Sequence, residues 1–194
     1  MTTLLHTRQK VLYHVVCAAP PSQAVSEFVA LAQSSGWDVC VVATPEAVKF
    51  VDVPLLEKIT NHPVRSTYKA IGTDDVFPKM KAMVVAPMTL NTTTKWAQGN
   101  ADTLALSQMC KALGLRTPLV AAPCITTAYA NHPAFPRSIE ILKECGVHVL
   151  YDPAKYPAPN IVPWEHILDE LNTLVQNEVF ETSHAVATER TERS

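Results

Sequence analysis

Two short polar segments, each entered through Ala-Pro at the end of an apolar run, hold the residues of this sequence best suited to chemistry. The first is residues 87–92, PMTLNT, and the second is residues 123–127, PCITT. Their amide, hydroxyl and thiol side chains are short, so the backbone N–H groups beside them stay accessible to a ligand. Open α/β sheets bind ligands at the carboxyl ends of their strands. We therefore expect both segments to line a ligand site.

The scarcity of glycine excludes two common phosphate-binding motifs. The chain has five glycines, and neither G-x-G-x-x-G nor a Walker loop can be written from their positions. This excludes the usual fingerprints of dinucleotide-binding proteins and P-loop NTPases. A phosphate bound by this protein must be held in another way, such as at a helix N-terminus that carries Ser or Thr.

The elements that must position the two segments alternate along the chain. Continuous apolar, β-branched runs predict strands at residues 11–17, 38–43, 82–86, 118–122 and 147–151. Amphipathic stretches predict helices at residues 23–34, 93–98, 102–113, 136–144 and 164–178. Ser22 is a typical N-cap for the first helix, and Thr44-Pro45-Glu46 is typical of a further helix start. The alternation indicates a parallel sheet with helices on both faces.

Composition limits the class of protein. The 194 residues are 47% hydrophobic, which is ample for a core, and a net charge of −2 makes nucleic acid and anionic membranes poor partners. We find neither a membrane span nor a secretory signal in the sequence. Five cysteines without a C-x-x-C pair indicate a reduced, cytoplasmic protein without structural metal. We expect one domain over residues 1–180 and a polar, disordered tail over 181–194.

The two segments also match, in order and spacing, the hallmark motifs of a known family. The chain resembles the homo-oligomeric flavin-containing cysteine decarboxylases. Their first hallmark, Pro-Ala-Ser-Ala-Asn-Thr, is matched by residues 87–92, followed in the family's order by Lys95, Ala97, Gly99, Ala101 and Asp102. Their second, Pro-Ala-Met-Asn with a later Met-Trp and proline, is matched in spacing by Pro123, Cys124, Ile125, Thr126, Tyr129, Ala130 and Pro133. Residues 41–50 resemble the family's second strand and flavin-side turn, so the similarity spans roughly residues 10–152.

The resemblance implies a single-domain, Rossmann-like (flavodoxin-like) α/β fold that binds FMN and oxidatively decarboxylates a cysteine carboxyl. It also implies a homotrimer or homododecamer, because the family builds its flavin site between subunits. The catalytic candidates are Thr126 and Asn91, whose amide would donate to the substrate carboxylate or fix its loop against FMN. The cofactor-binding candidates are Ala19, Pro20, Ser22, Thr44, Phe50, Ala86, Pro87, Met88, Thr89, Asn91 and Cys124. Ordinary helix capping and a rigid strand exit would leave the same pattern.

Two departures from the family pattern concern the cofactor and the base. Residues 18–22, AAPPS, replace the family's Gly-Ser after the first strand, although Ser22 at a helix start would still hold the phosphate. Thr73, beside Asp74 and Asp75, stands where the family places a proposed catalytic histidine, about fourteen residues before the first hallmark proline. The sequence leaves the general base unassigned.

Two further departures concern the substrate. Thr126 replaces the asparagine of the second hallmark, and residues 151–163 replace the cysteine- and glycine-rich substrate flap of the coenzyme A pathway enzymes. These losses argue against 4′-phosphopantothenoylcysteine decarboxylase. They favour the branch that converts the C-terminal cysteine of a precursor peptide to an aminoenethiol in ribosomal peptide natural-product biosynthesis.

Three alternatives stay open at this point. They are an FMN-binding interaction protein without decarboxylase activity, a phosphopantothenoylcysteine decarboxylase-like enzyme and a flavin prenyltransferase. The candidates for the base are Asp74, Asp75, His62 and His132, each of which is also an ordinary loop residue.

Overall fold

A parallel sheet forms the centre of the structure, a computed structural model that describes residues 10–70 and 77–192, with the backbone alone from residue 179. Its five strands are β1 (Lys10–Val16), β2 (Trp37–Ala43), β3 (Ala82–Met88), β4 (Leu119–Pro123) and β5 (His148–Val149). They lie in the order β2-β1-β3-β4-β5, and every pair is parallel. The expected flavodoxin-like α/β fold is confirmed. Thr73, Asp74 and Asp75 lie outside the described residues.

Helices cover both faces of this sheet. They are α1 (Val25–Ser34), α2 (Val53–Thr60), α3 (Leu90–Ala97), α4 (Leu104–Gly114), α5 (Thr127–Ala130), α6 (Ala134–Glu144) and α7 (Trp164–Glu192). Helices α1, α2 and α7 pack into the core on one face, and α3, α4 and α6 pack into the core on the other. Because parallel strands need crossover connections, this two-sided cover follows from the alternating sequence.

Strand β1 shows how the apolar runs produce this architecture. Leu12 and Val16 lie in the core beneath α1 and α7, whereas Val11 and Val15 lie in the core beneath α4. Successive side chains of a strand point to opposite faces, so a central strand covered on both sides is buried along almost its whole length and is mainly apolar. All of β1 except Lys10 is buried.

Two helix starts differ from the sequence prediction. Thr44 precedes a 3-10 turn at Ala47–Lys49, and α2 begins later, where Asp52 Oδ1 accepts the N–H of Leu55 at 3.0 Å. Ser22 is not an N-cap, because it lies inside a 3-10 turn at Pro20–Ala24 that precedes α1. In both places the chain makes a tight turn at the sheet edge before its helix begins.

Helix α7 continues to Glu192 and therefore includes residues 181–192, which the sequence assigns to a disordered tail. This stretch contains Ala, Glu and Arg, which favour helix, and no glycine or proline interrupts it. The domain boundary at residue 180 stays a prediction. Although α7 is long, no helix in the described part of the chain combines the length and apolar character needed to cross a membrane.

Candidate functional site

A cavity of about 790 Å³ opens at the carboxyl edge of the sheet. It is lined by residues of four chain segments, 18–20, 89–98, 124–134 and 158–159. The first three segments follow β1, β3 and β4, and the strand order changes direction between β1 and β3. Such a switch point is where open α/β sheets bind ligands. The volume lies within the usual range for small-molecule pockets, about 300–1,000 Å³.

The segment after β3 enters the cavity as the capped start of a helix. Thr89 is the N-cap of α3, and its Oγ1 accepts the N–H of Thr92 at 3.5 Å and donates to Thr92 Oγ1 at 3.2 Å. Thr93 Oγ1 donates to the Thr89 carbonyl at 2.8 Å. Asn91, in the first turn, is exposed and lines the cavity. The positive end of the α3 dipole therefore lies at this wall.

Backbone contacts from two neighbouring strands fix the residues just before this cap. The Cys17 N–H donates to the Pro87 carbonyl at 3.1 Å, and the Cys124 N–H donates to the Met88 carbonyl at 2.9 Å. The thiol of Cys17 donates to Thr92 Oγ1 at 3.3 Å. These bonds hold the strand exit against the ends of β1 and β4.

The segment after β4 is held more loosely. Cys124 is half-buried, and its Sγ donates to the Pro159 carbonyl at 3.3 Å. Burial raises the pKa of this thiol, so the thiol form dominates at neutral pH. Thr126 and Tyr129 are exposed, and no side chain caps α5. Cys124 therefore lines the site as a protonated thiol and does not have the thiolate character of a nucleophile.

His132 is a cavity-lining side chain whose Nδ1 lies within hydrogen-bond distance of a backbone N–H. The backbone N–H of Ala134 donates to His132 Nδ1 at 3.2 Å. Because a backbone N–H can only donate, Nδ1 is unprotonated and the neutral ring carries its proton on Nε2. His62, the other candidate histidine, pairs with Asp38 at 2.7 Å near the amino end of β2. The structure therefore brings His132 to the cavity and leaves His62 at the opposite edge of the sheet.

The structure brings together about half of the residues predicted for the site. The predicted residues that line the cavity are Ala19, Pro20, Thr89, Asn91, Cys124 and Thr126. Those buried behind the cavity wall are Ala86, Pro87 and Met88, which contribute backbone carbonyls rather than lining. Thr44 and Phe50 follow β2 at the same edge but do not line the cavity, and Phe50 is 39% exposed.

Ser22 does not have the geometry expected of a phosphate ligand. It is buried, and both its N–H and its Oγ donate to the carbonyl of Ala19, at 2.9 and 2.7 Å. The prolines Pro20 and Pro21 at the start of this turn have no N–H to offer an anion. The role of Ser22 toward a phosphate stays a prediction that these hydrogen bonds do not support.

The sequence interpretation missed part of the cavity wall. Thr94 and Gln98 line the cavity together with Asn91. Their spacing places Asn91 and Thr94 on one face of α3 and Gln98, the C-cap residue, at the end of that face, so helical periodicity counted from Asn91 would have found them. Ala158 and Pro159 also line the cavity, but they are far away in sequence and no local signal indicates them.

The cavity suits the ring system of a flavin. Isoalloxazine has flat, largely apolar faces and a border of hydrogen-bonding atoms. The cavity wall is likewise mainly apolar, from residues such as Ile125 and Pro159, and it carries several polar side chains, among them Asn91, Thr126 and His132. These residues fit the ring of FMN. Because the hydrogen bonds of Ser22 do not support its role as a phosphate ligand, the residues that would hold the FMN phosphate are not assigned.

Comparisons with known proteins give a family and a fold. Residues 4–176 match the family model described as Flavoprotein. The chain is 32% identical over 146 residues to phosphopantothenoylcysteine decarboxylase of Oryza sativa subsp. japonica, covering 70% of this chain and 66% of that protein. It therefore spans just under two thirds of the length of this curated relative.

Two solved structures are similar along most of the chain. The crystal structure of the FMN-dependent cysteine decarboxylase SpaF matches with a TM-score of 0.70 at 22% identity, covering 86% of this chain and 97% of that one. A PPC decarboxylase mutant complexed with pantothenoylaminoethenethiol matches with a TM-score of 0.71 at 20% identity, covering 87% and 100%. At these identities the similarity shows the fold.

Proposed function

This chain belongs to the Flavoprotein family, and from that membership we propose that its cavity binds FMN and that the protein is an oxidative cysteine decarboxylase. The observation that carries the proposal is the cavity itself. It lies at the switch point of the sheet and is bordered by Asn91 on the first hallmark segment and Thr126 on the second. The curated relative and the SpaF structure are described as decarboxylases, which supports the same chemistry.

The chemistry explains why a flavin is needed. Carbon dioxide leaves an unactivated cysteine only if the remaining electron pair has somewhere to go. Oxidising the thiol-bearing carbon to a thioaldehyde provides that electron sink, and loss of carbon dioxide then leaves an enethiol. When bound, FMN supplies the two-electron acceptor, which no side chain provides.

The residues of the cavity divide the remaining tasks. We assign the Asn91 amide to orient the substrate carboxylate beside the start of α3, where the helix dipole favours negative charge. The Thr126 hydroxyl approaches from the other segment. His132 presents Nε2–H in its neutral form, so we assign it as a hydrogen-bond donor to the substrate and not as the general base.

We propose the C-terminal cysteine of a precursor peptide as the substrate. A second recess of about 350 Å³ shares Pro20 and Pro159 with the cavity. Ile161, Val162 and Trp164 contribute to its apolar lining, which would receive the residues that precede the cysteine. Residues 151–163, which supply much of this wall, contain neither cysteine nor glycine.

Phosphopantothenoylcysteine is the second candidate substrate. The 32% identity to the rice phosphopantothenoylcysteine decarboxylase favours it. The composition of residues 151–163, which contain neither cysteine nor glycine, favours the peptide. The two candidates share the cysteine carboxyl and differ in what precedes it.

We further propose that the protein assembles as a homotrimer or homododecamer and acts in the cytoplasm. Tyr129 borders the cavity and is 60% exposed, so a neighbouring subunit would cover it. The free thiols of Cys110, Cys124 and Cys145 suit a reducing compartment.

Incubation of purified, FMN-loaded protein with substrate tests the activity. A peptide ending in cysteine is expected to lose the mass of carbon dioxide plus two hydrogen atoms. The matched control is the same peptide with a C-terminal carboxamide, which has no carboxylate to lose. Phosphopantothenoylcysteine, assayed in parallel, separates the two candidate substrates.

The outcomes separate the alternatives. Turnover of phosphopantothenoylcysteine but not of peptides would replace the proposed substrate and keep the chemistry. Bound FMN without turnover of either substrate would favour a flavin-binding interaction protein. Protein that is colourless once unbound FMN has been removed would reject the cofactor.

A further inference from the structure

His14 is a fully buried histidine of β1 that does not line the cavity. It contacts the end of β3, just before the cavity-lining segment 89–98. Its Nε2 lies 2.8 Å from the carbonyl oxygen of Ala86. Because a carbonyl can only accept, Nε2 carries the ring proton and Nδ1 is an unprotonated acceptor. Nδ1 has no hydrogen-bond partner among the described residues.

The surroundings of this ring are aromatic. Phe28 lies edge-on to it with ring centroids 4.6 Å apart, and Trp164 lies edge-on at 6.2 Å. Burial lowers the pKa of His14 to about 4, so the ring is neutral at physiological pH. A phenyl ring would pack here without an unsatisfied nitrogen, which is unfavourable when buried. The advantage of histidine at this position must therefore lie in its other nitrogen.

Ala86, whose carbonyl accepts the hydrogen bond from Nε2–H, lies where β3 leaves the regular sheet. The pairing of β1 with β3 runs in register to Val85, and the pairing of β3 with β4 shifts between Val85 and Met88. The next two carbonyls, of Pro87 and Met88, accept backbone N–H groups at 3.1 and 2.9 Å. Three successive carbonyls are thus anchored, and the anchor of the first is a side chain.

We propose that His14 is a positioning residue for the cofactor, whose Nε2–H fixes the Ala86 carbonyl and so sets how Thr89 and Asn91 enter the cavity. The inference rests on the proposed binding of FMN. His14 does not touch the cavity and acts through the backbone from Ala86 to Thr89. The anchoring is expected to affect FMN binding separately from overall stability.

Substitutions of His14 test the anchoring through FMN affinity, followed by quenching of flavin fluorescence at a temperature where every variant is folded. His14→Gln keeps an N–H at the same number of bonds from Cα as Nε2 and is expected to bind FMN within about 3-fold of wild type. His14→Asn, whose N–H is one bond shorter, and His14→Phe, which has none, are expected to weaken FMN binding about 10-fold, the value of one buried hydrogen bond.

The matched control is Phe28→Leu, which loosens packing around the ring and leaves the bond to Ala86 in place. It is expected to lower Tm and to leave FMN affinity and the visible circular dichroism of bound FMN unchanged. Equal weakening of FMN binding by Phe28→Leu and His14→Phe would overturn the proposal, because packing alone would then explain it. Wild-type affinity in His14→Phe would also overturn it. Wild-type protein that binds no FMN would overturn the proposed function together with this inference.

Discussion

The segments after β3 and β4 both leave the sheet through a proline, but the core holds them very differently. After β3, the carbonyls of Pro87 and Met88 are anchored, and Thr92 and Thr93 are buried in the first turns of α3. After β4, the side chains of residues 126–129 are exposed, and α5 is a short helix without a side-chain cap. The first segment is fixed by the core, whereas the second presents side chains that the core does not hold.

Under the proposed function, this difference suits the two walls of the cavity to two different tasks. A cofactor of constant shape is best bound by a wall that is already in place, because preorganisation avoids the entropy of ordering. A substrate that varies in sequence is better met by exposed side chains that can adjust. Changes in the β3 segment should therefore affect FMN binding and the chemical step, and changes in the β4 segment should affect substrate binding.

The largest expected effect is the loss of stability on acidification, which tests whether His14 is buried as a neutral ring beside the β3 segment. The pKa of His14 falls from 6.5 to about 4 on folding, so the unfolded chain takes up the proton first as pH decreases. The contribution of His14 to stability is complete above pH 6.5 and is lost between pH 6.5 and about 4, by about 3 kcal/mol in the free energy of unfolding. Urea unfolding across this range measures it.

The difference between wild type and His14→Gln isolates this contribution, because other groups also titrate in the range. The stability of the glutamine variant should fall less steeply with acid. Parallel curves for the two proteins would show that His14 is not buried neutral in solution.

Substitution of Asn91 tests the chemical role of the β3 segment. Asn91→Ala is expected to slow flavin reduction by a bound cysteine substrate about 100-fold, the usual effect of removing one oriented donor. FMN binding should stay within about 3-fold, because the loop backbone remains anchored. Stopped-flow absorbance of the flavin under anaerobic conditions measures the rate of flavin reduction. Quenching of flavin fluorescence measures FMN binding.

Asn100→Ala is the matched control, since Asn100 is an exposed asparagine just beyond α3 that does not line the cavity. It should reduce the flavin at the wild-type rate. A rate in Asn91→Ala equal to that of the control would leave Asn91 as a loop residue without a chemical role.

A pair of N-cap substitutions separates stability from cofactor binding. Thr89 caps α3 at the cavity, and Thr103 caps α4 away from it. Thr89→Ala and Thr103→Ala should each lower the free energy of unfolding by about 1 kcal/mol, measured by urea denaturation. FMN binding should weaken in Thr89→Ala alone. Loss of FMN affinity in both variants would contradict a fixed cofactor wall at α3.

The smallest expected effect lies in the β4 segment. Thr126→Val removes a hydroxyl from the cavity without changing its shape and is expected to raise the KM for a cysteine-terminated peptide about 3- to 5-fold. FMN affinity should not change. The neighbouring Thr127 is exposed but does not line the cavity, so Thr127→Val should leave KM at the wild-type value. A loss of FMN from Thr126→Val would show that this wall also holds the cofactor.

The fold was predictable from the sequence because burial leaves a clear pattern in parallel strands. β1 and β2 lie almost wholly inside, so they are continuous apolar runs. The start of α2 was not predictable in this way. Thr44-Pro45-Glu46 has the composition of a helix start, yet the chain first turns at Ala47–Lys49 and the cap is Asp52. The start of α2 depends on the geometry of the sheet edge, which local helix propensity does not reflect.

The site was predictable where its residues are close in sequence. Thr89 and Asn91 were proposed because residues 87–92 match the family's first hallmark and follow directly after a predicted strand, and both line the cavity. The contact of Cys124 with Pro159 joins residues 35 positions apart, and the bond between His14 and Ala86 spans 72. Such contacts depend on strand order and on the path of the last segment, which periodicity does not encode.

The division of the cavity wall among four distant segments has a consequence for biosynthesis. A growing chain completes the first wall at residues 18–20 and cannot close the last until Ala158 and Pro159 have been made and have docked beside Cys124. The proposed binding of FMN would therefore be restricted to chains that have been synthesised and folded as far as residues 158–159. Because a ligand that binds only the folded state stabilises it, the coenzyme would selectively protect finished molecules and leave truncated ones to degradation.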